Sequence, residues 1–163
     1  HNKERNMKKS NKENMIKIIF GALALVLAIV IITMLFFRKG FGKLTNKKLI
    51  CENTSPGYKT KSTIVYKANK TYEEKFDKEE PLTSEYSYKK ATKEDLKAKE
   101  YKEMTEVKNG DSFLLTLKER KQKQKDGKTI TLDKNIEYII TVKDKYVQIF
   151  SKSRNINKLC KIK

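Results

Sequence analysis

Residues 118–128 read KERKQKQKDGK, in which Lys118, Arg120, Lys121, Lys123, Lys125 and Lys128 outnumber Glu119 and Asp126. The chemistry open to such a run is electrostatic: it would attract an anionic polymer, anionic lipid or an acidic protein. Along a strand alternate side chains share a face, so Lys121, Lys123 and Lys125 are expected in register with Phe113, Leu115 and Leu117. The apolar row then becomes a basic row, and the hairpin is expected to project past the core with a comb of lysines at its tip. The plainer reading is a hairpin tip kept soluble by its charge. No aromatic side chain is interleaved with these lysines, which argues against nucleic acid as the partner.

Cys51 and Cys160 are the second feature with chemical content, and no His or further Cys lies near either. Two thiolates do not complete a tetrahedral shell, so no metal site is expected. Lys158 and Lys161 beside Cys160 favour a thiolate, but no general base accompanies it, so a catalytic cysteine is not expected either. The two positions bracket the soluble part and suit a clamp on its ends, which in a compact domain often lie close together. Joined, they close a loop of about 110 residues, worth roughly 4–5 kcal/mol in the chain-entropy model, and such a bond persists only in an oxidising space. The alternative is a pair of unrelated free thiols.

The remaining chemistry is sparse. The sole histidine is His1, and no G-x-S-x-G elbow, Walker loop, G-x-G-x-x-G or HExxH motif occurs. The acidic run Glu73, Glu74, Asp77, Glu79 and Glu80 is interleaved with Lys75 and Lys78 and has no Gly-centred ligand loop, so it is expected as a solvated turn. No catalytic residue, metal or cofactor is expected, and the chain is read as a non-enzyme.

The elements that must position these residues follow from length and hydropathy. The chain has 163 residues and a net charge of +18; only Arg5, Arg38, Arg120 and Arg154 among its bases are arginines. A nucleic-acid reader more often uses the bidentate fork of Arg, so the charge is taken mainly as a solvated, Lys-rich surface. Residues 18–37, IIFGALALVLAIVIITMLFF, carry no charge. As a helix rising about 1.5 Å per residue they span about 30 Å, the thickness of a hydrocarbon core. Residues 44–163, 120 positions, make one small domain and cannot wrap an all-round apolar 20-mer.

The run is followed by Arg38 and Lys39 rather than a small-residue cleavage site, and Cys51 stands too far beyond Phe37 for a lipoprotein. The helix holds no acid of the kind a type IV pilin carries near its start. An uncleaved anchor is therefore expected. HNKERN precedes Met7, and residues 1–6 are expected to be an addition ahead of MKKSNKENMIK. Six bases from Lys3 to Lys17 face five beyond the run, Arg38, Lys39, Lys43, Lys47 and Lys48, so flanking charge does not set the orientation. The cysteines do: a disulfide requires the domain outside and the N terminus in the cytoplasm. The expected organisation is a basic cytoplasmic segment (1–17), a transmembrane helix (18–37), a basic juxtamembrane tether (38–50) on anionic headgroups, and an extracytoplasmic domain (51–163).

Within that domain a turn is expected at residues 54–57, then strands around 59–67, 72–76 and 83–89, with Tyr72 and Phe76 at even spacing in the second and Tyr86 and Tyr88 on one face of the third. Thr92 reads as the N-cap of a helix running through Leu96 and Tyr101 to Met104, with Glu94 and Asp95 in its first turn and Asn109-Gly110 at its end. Four more strands are expected, at 113–117, 130–132, 136–142 and 146–151. The order β-β-β-α-β-β-β-β implies an α+β fold, an antiparallel sheet with one helix packed across a face.

The strings STIVYKANKTYEEKF and LDKNIEYII, the intervening Lys/Glu helix and the late Leu159-Cys160-Lys161 resemble the YehR-like small lipoproteins of unknown function and related membrane-anchored proteins of low-GC Gram-positive bacteria. The resemblance implies a surface-attached protein without enzymatic activity. The function expected is a single-pass anchored domain that binds a protein partner or an anionic envelope polymer. The alternative is a subunit of a secretion or pilus-type membrane assembly.

Overall fold

The computed structural model describes residues 2–37, 40–55 and 60–163; of residues 2–8 and 32–37 it describes the backbone alone. The chain divides into two compact units, residues 1–39 and 40–163. The first is a single helix, α1 (Asn2–Phe37), which takes in the basic segment as well as the apolar run. Its stretch Lys9–Ile31 is long and apolar enough to cross a membrane. Arg38 and Lys39, and Pro56, Gly57 and Lys59 of the expected first turn and strand, lie outside the described residues.

The second unit is a closed barrel of eight antiparallel strands, which overturns the open sheet expected from sequence. The strands are β1 (Leu49–Asn53), β2 (Lys61–Tyr66), β3 (Thr71–Phe76), β4 (Leu82–Lys90), β5 (Asp111–Lys123), β6 (Thr129–Lys143), β7 (Tyr146–Ser151) and β8 (Ile156–Ile162). Each pairs with the next, and β8 pairs back onto β1 in the register Leu49↔Ile162, Cys51↔Cys160 and Asn53↔Lys158. Closure removes the two sheet edges that would otherwise template association. Strands β1 and β8 are the ones the sequence reading passes over. The two runs read separately at 130–132 and 136–142 form the single strand β6.

An eight-stranded barrel is just wide enough for side chains to fill it. The inward row runs through Leu49, Ile64, Tyr66, Tyr72, Tyr86 and Leu115 and continues through Ile140, Val147 and Cys160, all packed in one cluster. One end, here called the entry end, is plugged by the segment that the sequence reading takes as a tether. Phe41, in a 3₁₀ turn (Phe41–Lys43), stacks on Tyr88 with ring centroids 3.9 Å apart and meets Tyr66 and Phe113 edge-on, while Leu44 is fully buried. Gly40 enters this plug at φ 117°, and a Cβ there would lie 3.0 Å from the Phe113 ring. Residues 40–50 thus belong to the barrel: their apolar members find more surface to bury inside it than along a solvated linker.

The soluble helix is shorter than expected. The helix α2 (Lys93–Ala98) begins with the predicted Thr92 cap, in which Asp95 N–H donates to Thr92 Oγ1 and Asp95 Oδ2 accepts from Thr92 N–H. It ends well before Met104 because Glu100 turns left-handed and the buried Gln148 of β7 claims the backbone beyond it. Gln148 Oε1 accepts from Met104 N–H at 2.9 Å, and its Nε2 donates to Lys102 C=O at 2.8 Å. Leu96 and Tyr101 still pack on the barrel's outer wall, against Leu114, Ile139 and Phe150.

Candidate functional site

In the β5–β6 hairpin, β5 stays paired with β4 as far as Gln122, so the hairpin does not project past the wall as expected; only β6 runs on beyond its other neighbour, with Thr129 to Tyr138 pairing with β5 and pairing with β7 beginning at Ile139. Two register shifts decide which way its bases face. Between β4 and β5 the partners pass from Tyr86↔Leu117 to Thr83↔Lys121, so β5 carries one extra residue; β6 carries one opposite Arg120 and Lys121. Directly opposed residues share a face. Gln122 therefore lies on the inward face with its partner Leu82, and Lys121 on the outer face with Thr83. The expected register of Lys121 and Lys123 with Phe113, Leu115 and Leu117 is reversed by this bulge, which alternation alone does not foresee. Lys125 lies in the turn.

The six predicted bases separate into three groups. Arg120 is structural: Nε and Nη2 hold the two oxygens of Asp133 at 2.7 and 2.5 Å, and Arg154 Nη1 reaches the same carboxylate at 2.9 Å. This fork ties β5, β6 and the turn before β8 together. Burial opposes the charge on Asp133, but the bonds and charges of Arg120 and Arg154 win and hold its pKa low. Arg120 is thereby withdrawn from the anion-binding set. Lys118 and Lys121 pair on the exposed outer wall with Glu85 at 3.4 Å and Glu119 at 3.9 Å. Lys123, Lys125 and Lys128 make no ion pair among the described residues.

At the base of the hairpin the slip in β4–β5 pairing opens a surface cleft of about 400 Å³. Lys67, Lys118 and Lys121 alternate around it with Glu73, Glu85 and Glu119. Exposed pairs of this kind contribute no more than about 1 kcal/mol each, so they can exchange partners with a charged ligand at little cost. Ser84 in the wall accepts from Glu119 N–H at 3.1 Å and donates to Glu85 C=O at 2.8 Å. With its hydrogen and a lone pair committed to backbone, it is a poor nucleophile. Among the described residues no three His, Cys, Asp or Glu side chains gather in a metal-binding group. The arrangement can bind charge.

Inside the barrel lies a polar group that the sequence reading assigns to a solvated turn. Glu74 is 1 % exposed; its Oε2 accepts from Lys158 Nζ at 2.5 Å and Ser62 Oγ at 2.7 Å, and its Oε1 accepts from Tyr72 OH at 2.5 Å. Burial pushes the Glu74 pKa up, but the Lys158 charge and the three hydrogen bonds outweigh it, and the net shift is downward. Tyr72 is driven the other way, by burial first and then by the Glu74 charge. The signal for both members was in the alternation: Glu74 stands between Tyr72 and Phe76, and Lys158 between Ile156 and Cys160, each on an inward row. The site is closed and fully satisfied, so it serves the fold rather than a ligand.

Of the remaining predicted bases, Lys43, Lys47 and Lys48 are exposed at the entry end, apart from the hairpin. Cys51 and Cys160 are joined in a disulfide, both buried. Comparison with protein-family models, with curated proteins and with solved structures returns no match to this chain.

Proposed function

We propose that this chain is a single-pass membrane protein whose α1 spans the bilayer with its N terminus in the cytoplasm. Its barrel stands outside as a non-enzymatic module that binds a protein partner or an anionic envelope polymer. The observation that carries this reading is the Cys51–Cys160 disulfide in a chain with an N-terminal helix apolar enough to span. A disulfide is at home in an oxidising, extracytoplasmic space. The binding surface proposed is the tip of the β5–β6 hairpin, where Lys123, Lys125 and Lys128 make no ion pair among the described residues, with the charged cleft at its base. Protease added to intact cells should remove the barrel and leave a membrane-bound fragment, and thiols in the untreated protein should resist alkylation until reduced. A barrel protected from protease, with both thiols reactive, overturns the reading.

A further inference from the structure

The two ends of the barrel differ in charge. At the end opposite the entry, the turns 77–81, 124–128 and 152–155 mix Lys78, Lys125, Lys128, Lys152 and Arg154 with Asp77, Glu79, Glu80 and Asp126, close to balance. At the entry end, residues 40–48 bring Lys43, Lys47 and Lys48, and the β2–β3 turn brings Lys67 and Lys70. The β6–β7 turn adds Lys145, and the end of β8 adds Lys161 and Lys163; Asp144 is the acid that these four segments hold. The α2 connection, which also starts and finishes at this end, is balanced and does not offset the excess.

The segments are locked to one another. Asn46 N–H donates to Tyr66 C=O, Asn46 Oδ1 accepts from Ala68 N–H, Ile162 N–H donates to Lys145 C=O and Lys163 N–H to Lys48 C=O. The lysines are therefore held as one surface. Aromatic rings sit among them: Lys70 Nζ lies 4.4 Å over the Tyr88 ring, which is 39 % exposed, and Lys145 and Lys161 flank Tyr146 at 5.5 and 5.8 Å. Tyrosine beside lysine suits a boundary that is wet on one side and apolar on the other. In the sequence only Arg38 and Lys39 separate Phe37 from Gly40, where the chain enters this end.

We infer that the entry end of the barrel is a lipid-docking face that binds anionic headgroups. This depends on the membrane reading above and adds a docking face and a lipid class to it. The test places the full chain in nanodiscs of phosphatidylcholine, with or without phosphatidylglycerol, and follows amine labelling by mass spectrometry. Lys47, Lys70 and Lys145 should label several-fold more slowly in the anionic discs and recover in high salt, as screening requires. Lys123 and Lys125 should label alike in both. A K47Q/K70Q/K145Q variant with an unchanged melting temperature should lose the lipid dependence, read on Lys43 and Lys161. A chain that co-elutes with the discs but labels alike in both lipids, or is slowed at the hairpin tip instead, overturns this inference alone. A chain that fails to co-elute overturns the anchor and this inference with it.

Discussion

Glu74 and Lys158 are 84 residues apart in the chain, and Lys158 Nζ lies 2.5 Å from Glu74 Oε2 inside a barrel whose first and last strands are disulfide-bonded. A buried ion pair is tolerated only when both charges are compensated. Here the carboxylate also receives Tyr72 and Ser62, and the ammonium lies 5.6 Å from the Phe76 ring. Its members come from β3 and β8, so the pair forms only once distant strands are placed, which makes it a check on register more than a source of net stability.

Removing one partner should therefore be far worse than removing both. Lys158→Met leaves the Glu74 carboxylate buried without its cation, at a cost of about 3–5 kcal/mol. The double variant Glu74→Gln/Lys158→Met keeps an acceptor for Tyr72 and Ser62 and should recover most of that loss. Urea unfolding of both variants decides the point; equal destabilisation would show that the pair is not the determinant.

The pH dependence should reverse with the same substitution. In the native barrel the Glu74 pKa is lowered, so the pair's contribution is fully present above the ordinary carboxyl range and is lost as pH falls through the folded pKa. Asp133, also lowered, acts in the same direction. In Lys158→Met, burial acts on Glu74 with only the Tyr72 and Ser62 bonds to oppose it, its folded pKa rises above the unfolded value, and the Glu74 contribution to stability should increase on acidification from neutral pH. Melting temperatures measured from pH 7 down to the carboxyl range should slope in opposite directions for the two proteins.

Much of this barrel was legible in the sequence, and what was missed has physical reasons. The β2, β3 and β4 runs and the Thr92 cap lie where alternation and capping chemistry place them. Closure was hidden because β1 and β8 carry Asn53 and Lys158 on their inward rows, so neither reads as a half-buried strand. The pattern of β6 breaks at its bulge and at Asn135, whose φ of 50° interrupts the alternation. The helix was overextended because its apolar spacing continues to Met104, whereas Gln148 on a distant strand offers that backbone better partners. Such side chains act across the fold and leave no local trace.

Opening the seam should be costly. A Cys51→Ala/Cys160→Ala chain loses a cross-link over a separation of 109 residues, and the chain-entropy model puts the loss at roughly 4–5 kcal/mol. The denaturation midpoint of the variant, and of the native protein with reductant, should fall together. A midpoint indifferent to both would mean that β1–β8 pairing holds without the bond.

Gly110 is a sharper packing test than Gly40 because backbone surrounds it. A Cβ there would sit 2.7 Å from Val142 C=O and 2.9 Å from Val107 C=O. Neither oxygen can swing aside as a side chain would, so Gly110→Ala should destabilise the barrel by about 1–3 kcal/mol. Gly127, with φ 82° and open space around it, bears only the conformational penalty, about 1 kcal/mol on replacement by Ala. Paired urea curves should rank the two in that order.

The division of the hairpin bases can be tested by separating binding from stability. Lys123→Gln/Lys125→Gln/Lys128→Gln removes three charges that have no acid partner among the described residues, so the melting temperature should hold within a degree or two. Affinity for poly(glycerol phosphate) should fall several-fold at low salt, with the difference fading as salt screens the remainder. Arg120→Gln should do the opposite. It strips the two-pronged bond from Asp133, leaving the carboxylate to Arg154 alone, and should cost about 2–3 kcal/mol, the range for hydrogen bonds to charged groups. Its effect on polymer binding should be small at temperatures where the barrel stays folded. If the triple substitution melts the protein while leaving the polymer bound, the lysines at the tip are structural and the binding surface lies elsewhere on the barrel.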